Sequence, residues 1–229
     1  MNSPIFLTLT TRLYDWITQK GYQAWGDTGY FYHKDFSKNR DWIKIGVGDN
    51  ERGLYGVEIF AFRRIHLIND LWQDIAKDIM SFENYIPDTF SLEPKEYIND
   101  CLTYTTRMAI SADEENIVER LYSFVVEKYD KVLVPELDRI SNIKALNSLL
   151  NEFNYGVGFP FPFFQRLVVA KLAGNPNYEN IYQEMIQAYQ KGVKENPQRA
   201  DYYMRGLQAT EMLYERLRSV EALQNPVLV

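Results

Sequence analysis

Few side chains in this sequence are suited to proton transfer, nucleophilic attack or metal ligation: there are two histidines, His33 and His66, and one cysteine, Cys101. A general base needs a neighbour to orient it. His33, within Tyr30-Phe31-Tyr32-His33-Lys34-Asp35, alternates with Phe31 and Asp35 on one strand face, opposite Tyr32 and Lys34. That spacing reads as an ordinary strand histidine. His66 follows Arg63-Arg64 where a helix begins, so two cations and a helix N-terminus could hold an anion such as phosphate. Solvated charges that end a strand explain the same residues. Arg107 is a further cation able to orient an anion in a pocket between a sheet and a helical half. Cys101 would act as a nucleophile only with a base nearby, whereas a free cysteine is usually a small buried apolar group.

Acidic clusters offer no more. Asp113-Glu114-Glu115 sits where a helix starts and complements its dipole, and the Asp49 to Gly53 turn lacks the twelve-residue pattern of a calcium loop. No H-E-x-x-H, C-x-x-C, G-x-x-x-x-G-K-[ST] or G-x-S-x-G run is present, and Gly46-Val47-Gly48 lacks the third glycine of a dinucleotide fingerprint. The expectation is therefore no metal and no cofactor. A non-enzymatic role is favoured over catalysis, with active sites built from scattered carboxylates left open.

Against this scarcity stand 17 tyrosines, 13 phenylalanines and four tryptophans in 229 residues. Tyr and Trp combine large area, few rotors and a polar tip, which suits binding surfaces. Trp25, Tyr30, Tyr32, Phe159 and Phe161 flank loop or edge positions and are the aromatic candidates, with most other rings belonging to a core. The net charge of −6 divides evenly, −3 in residues 1–110 and −3 in 111–229. Nucleic-acid affinity comes largely from Lys and Arg on phosphates, so a pI near 5.1 without a basic cluster argues against such a partner. The N-terminal residues lack the basic start and apolar run of a signal peptide, and no apolar run nears the ~18 residues of a membrane span. One unpaired cysteine suits a reducing cytoplasm. A cytoplasmic protein without a membrane partner is expected.

The elements that must position these residues follow from periodicity. Phe6, Leu9, Leu13, Trp16 and Ile17 recur at helical steps and Gly21 ends that helix. Strands are predicted over 29–36, 42–47 and 54–62, with a fourth over Cys101 to Ile110. Ile68, Leu71, Trp72, Ile75 and Ile79 predict a helix covering the sheet. Ser111 and Glu114 form a capping box ahead of the next helix, and Pro135 fits the first turn of the one after it. Gly156 to Phe164, with Pro160 and Pro162, begins as a stiff loop. Two last helices, about 178–193 and 198–223, should pair as an antiparallel hairpin. The fold class is α+β: an antiparallel sheet of about four strands covered by helices in 1–110, then a helical half in 111–229, or both as one continuous domain.

This succession of elements, with Lys20-Gly21-Tyr22, Trp42-Ile43-Lys44-Ile45-Gly46-Val47, Val57-Glu58-Ile59-Phe60, Cys101 with Arg107, and Leu133-Val134-Pro135-Glu136-Leu137-Asp138-Arg139, resembles a family of bacterial α+β domains of unknown function. The resemblance runs from about Phe6 to Tyr189. Some proteins of that kind are thought to lie near toxin systems as immunity factors, which implies a protein partner and supplies no catalytic residue. The alternative is a small-molecule or anion sensor, or an enzyme, with Arg63, His66 or Arg107 at its pocket. A third expectation is a homodimer formed through the closing helical hairpin.

Overall fold

A computed structural model describes residues 3–25, 31–49, 53–80, 90–92, 95–98, 101–104, 107–152 and 161–228. The chain divides into two compact units, each discontinuous in sequence: residues 1–63 with 90–138, and 64–89 with 139–229.

The first unit is built on a sheet. Helix α1 (Pro4–Gln19) starts where Ser3 Oγ accepts the Phe6 N–H at 3.2 Å, with Pro4 at a position whose missing N–H costs nothing. It ends in a glycine cap: Gly21 at φ +88° sends its N–H to the Thr18 carbonyl, and Tyr22 sends its own to Ile17. Leu9, Leu13, Trp16 and Ile17 are buried, each contributing roughly 1.5–3 kcal/mol. Strands β1 (Gln23–Ala24), β2 (Phe31–Asp35), β3 (Asn39–Asp49) and β4 (Leu54–Ile65) follow as an antiparallel series.

The other edge of β4 is shared. Ala61–Arg63 pair with β5 (Phe90–Leu92), and Leu54–Glu58 pair with the later β8 (Arg107–Ser111). Between them, β6 (Lys95–Ile98) and β7 (Cys101–Tyr104) make a separate hairpin. The predicted α+β architecture with an antiparallel sheet is present, the main sheet having six strands among the described residues in place of about four. Strands of two and three residues such as β1 and β5 carry no readable alternation, and the single strand expected over 101–110 is two strands in different sheets.

Burial alternates along residues 39–45 of β3 and 57–65 of β4. Asn39, Asp41, Ile43 and Ile45 of β3 and Val57, Ile59, Ala61 and Arg63 of β4 are buried, while the residues between them are partly exposed. Across the buried face α1 packs on β3, and α4 (Ile117–Lys128) packs on β8 and on α1. Trp16 meets Tyr129 edge-on at 5.1 Å. The capping box is reassigned: Ser111 ends β8, its N–H donates to Glu114 Oε1 at 3.4 Å within a turn, and α4 begins only after Asn116, held at φ +55°. A π-helical turn, Tyr129–Leu133, then leads into α5 (Val134–Ile140). Pro135 lies in the first turn of α5, as expected, and the widened turn before it accommodates the bond that proline cannot make.

The second unit is helical. The helix expected over 68–79 is two, α2 (His66–Asp70) and α3 (Gln73–Met80), and α3 packs on α9. Helix α6 (Ile143–Asn147), capped by Asn142, and a π-helical turn (Ser148–Glu152) precede α7 (Phe161–Ala173). Every residue from Phe164 to Ala170 of α7 is buried, the mark of a central helix. Its first-turn Pro162 is helical, so the stiff segment expected through Phe164 ends by Phe161; Gly156 to Pro160 lie outside the described residues.

The closing hairpin forms as α8 (Tyr178–Glu195), a 3-10 turn (Pro197–Arg199) and α9 (Ala200–Leu217), the last helix ending at Leu217 and not near 223 as expected. Two glycines let its helices approach. A Cβ on Gly206 would lie 2.1 Å from the Tyr189 ring, and one on Gly192 would lie 2.4 Å from the Tyr203 ring. Arg216 ties α9 to α3 by a forked pair with Asp74 at 2.6 and 2.7 Å, and donates to the Leu71 carbonyl at 3.0 Å.

Gly206→Ala should therefore destabilise the fold by about 1–3 kcal/mol through overpacking against Tyr189, read as a lower urea midpoint at constant slope. The Arg216 guanidinium holds the Asp74 carboxyl below its ordinary value. A lowered folded-state pKa contributes stability that is full above the unfolded value, about pH 4, and is lost as pH falls through the folded one. The stability gap between wild type and Asp74→Asn should thus be up to about 1 kcal/mol at neutral pH for this exposed pair and close on acidification.

Candidate functional site

The strand register decides which polar and aromatic side chains meet. On the buried face Asp41 and Arg63 form a forked pair, Nε to Oδ1 at 2.5 Å and Nη2 to Oδ2 at 2.6 Å, and Arg63 Nη1 donates to the Leu137 carbonyl of α5. Both side chains are nearly sealed from solvent, 3% and 6% exposed. Burial pushes the Asp41 carboxyl above its ordinary value, against the downward pull of Arg63. Arg63 is consequently a structural clamp, not a solvated strand end or a cation awaiting an anion.

The opposite face is the candidate site. Trp42 of β3 pairs with His33 of β2, and His33 with Gln23 of β1. Trp25, whose N–H donates to the Phe31 carbonyl at 2.8 Å, stands beside both rings: 5.5 Å from His33, 4.9 Å from Trp42, each edge-on. His33 and Trp42 are 5.3 Å apart. The Arg40 guanidinium lies 5.5 Å from the Trp42 ring while it forks onto the Asp35 carboxylate. Trp25 keeps 48% of its surface exposed, large for a tryptophan locked between two rings.

Farther along the same face, Glu58 accepts from Lys44 Nζ at 2.6 Å and pairs with Arg107 Nε at 3.0 Å, and Lys44 lies 5.3 Å from the Phe60 ring. Beside them an open groove of about 420 Å³ has Gly46, Gly48 and Gly56 in its lining together with Val47, Leu54 and Met108. A Cβ on Gly46 would meet Glu58 Cγ at 2.6 Å, so glycine is what lets the carboxylate lie across the strand.

His33 Nε2 is 3.9 Å from Asp35 Oδ2, outside hydrogen-bond reach, and that carboxylate is committed to Arg40, so the histidine lacks an orienter. Among the described residues no cluster of three or more His, Cys, Asp or Glu could hold a metal ion. No described helix is long and apolar enough to cross a membrane.

Of the residues singled out from sequence, Trp25 and His33 come together, and Arg107 lies on the same face with its side chain 75% exposed. Tyr32 does not join them: it points to the buried face, 2% exposed, 6.4 Å from the Tyr14 ring, because strand neighbours of His33 must face the other way. His66 opens the five-residue α2 in the helical unit. Tyr30 and Phe159 lie outside the described residues, as does the side chain of Phe161. Sequence reasoning missed Trp42, Arg40, Lys44 and Glu58. The alternation Asn39-x-Asp41-x-Ile43-x-Ile45 was the available signal, since it sends 40, 42 and 44 to one face together.

No family model, curated protein or solved structure matches the chain.

Arg63→Met should cost about 3–5 kcal/mol by stranding the Asp41 charge, and adding Asp41→Leu to that variant should recover much of the loss; chemical unfolding of the single and double variants measures the coupling.

Proposed function

We propose that this chain is a non-catalytic binding module that receives a protein partner on the open aromatic face of its sheet. The observation that supports this reading is the Trp25–His33–Trp42 cluster, with Trp25 half exposed and Arg40 held in place over Trp42. Trp and Arg are the residues that most often dominate binding energy at protein interfaces, and rigid rings lose little entropy on association. Here the rings brace one another and Arg40 is fixed by Asp35 before any partner arrives. The paired charges of Lys44, Glu58 and Arg107 would form a polar rim to that patch.

An immunity-type inhibitor fits this reading, as the resemblance of the element order implies, and a cytoplasmic setting goes with it. The sensor or enzyme alternative loses the arginine first considered for it, since Arg63 is spent on Asp41 and Leu137.

Affinity capture with the wild-type chain should retain a protein partner, and the gene neighbouring this one is the first source to try. Trp25→Ala should weaken that complex by about 2 kcal/mol or more, roughly thirtyfold, with the stability of the free chain nearly unchanged. A Trp25→Ala chain that binds its partner as well as wild type would remove the sheet face from consideration.

A further inference from the structure

The helical unit contains a second concavity, of about 500 Å³, whose lining is more polar than the groove on the sheet. Three asparagines and an arginine form one connected network in its wall. Asn147, the last residue of α6, accepts at Oδ1 from Asn151 Nδ2 and from Asn175 Nδ2, both at 3.0 Å. Asn151 in turn accepts from Arg166 Nε at 3.1 Å and donates to the Arg166 carbonyl at 3.2 Å. Every acceptor in this network is occupied by an amide or guanidinium donor.

The donors, by contrast, are in surplus. With Oδ1 of Asn147 doubly occupied, its Nδ2 group has no acceptor among the described residues, and the residue is only 7% exposed. Arg166 is 9% exposed, and among the described residues its guanidinium hydrogen-bonds only through Nε. Glu184 makes a long ion pair with Nη2 at 3.6 Å, beyond hydrogen-bond reach, and its own side chain is 65% exposed. Lys144 also lines the cavity. So does the first turn of the eighteen-residue α8, where the Asn177 side chain caps no backbone N–H. These donors open onto the cavity and are not sealed from solvent, and a guanidinium, an amide and an uncapped helix N-terminus around one cavity all favour oxygen acceptors carrying negative charge.

We propose that this cavity binds a small oxyanion, a carboxylate or a phosphate, with Arg166 as the charged anchor and Asn147 Nδ2 as a neutral donor beside it. The Nε bond to Asn151 fixes the guanidinium plane, which leaves the two Nη groups to receive the ligand side by side. Glu184 is the group that opposes binding. Because it is exposed and not hydrogen-bonded to Arg166, it can turn outward to solvent when the anion enters. The site is independent of the aromatic sheet face and of any protein partner there.

Titration calorimetry of the full chain with sodium phosphate and with sodium acetate, at ionic strength matched with chloride, tests the proposal. One saturable site is expected for at least one anion. Phosphate alone identifies a phosphoryl ligand, acetate alone a carboxylate, and both a site that reads only the oxyanion. Arg166→Lys keeps the charge but loses the fork, and should weaken binding by about tenfold or more. Glu184→Gln, at an exposed position that should leave folding intact, should tighten binding by several-fold to about tenfold. Absence of saturable heat with either anion at tens of millimolar would overturn the proposal. So would binding that neither substitution alters.

Discussion

Arg63 and Asp41 are the contact on which the sheet unit is organised. Two charges buried to this degree are tolerable only with every strong donor and acceptor matched, and the match draws on three elements at once: Asp41 from β3, Arg63 from β4 and the Leu137 carbonyl from α5. A one-residue slip of either strand would turn one partner to solvent and leave the other charged and alone in the core. The pair therefore selects the register, and the register places everything on the opposite face.

That opposite face illustrates how a sheet separates work. The residues that alternate with Asn39, Asp41, Ile43 and Ile45 are Arg40, Trp42 and Lys44, and cross-strand pairing adds His33 beside Trp42. Rings and charges brace one another there, so the surface is preorganised without being buried. Glycine does complementary work: Gly46 makes room for Glu58 to bridge Lys44 and Arg107, much as Gly206 makes room for Tyr189 in the helical hairpin. In both places a missing side chain is filled by a neighbour's.

The helical unit spends its polar residues differently. Asparagines that look like ordinary turn formers, in Asn175-Pro176-Asn177 and at the end of α6, converge with Arg166 from a largely apolar, buried helix. An arginine in such a helix must bring its own hydrogen-bond partners, and Asn151 fills that role.

Much of the fold was legible in the linear pattern. The helical spacing of Leu9, Leu13 and Trp16, the glycine stop at Gly21, the aromatic strands and the closing hairpin all reflect local physics, in which a periodicity or a backbone constraint speaks for itself. The scarcity of histidine and cysteine, which turns attention from chemistry toward binding, was likewise plain. Other features were hidden because they depend on distant partners. Ser111 and Glu114 spell a helix cap but close a turn, since β8 claims Ser111 for its ladder with Leu54. Arg63 reads as a solvated charge until Asp41 lies beside it. Tyr32 and Trp42 look alike in sequence, and only the register buries one and presents the other. Composition and periodicity determined which elements form; pairing across β2, β3 and β4, and packing around α7, decided which side chains meet, because contacts between residues far apart in sequence exist only once the chain has folded.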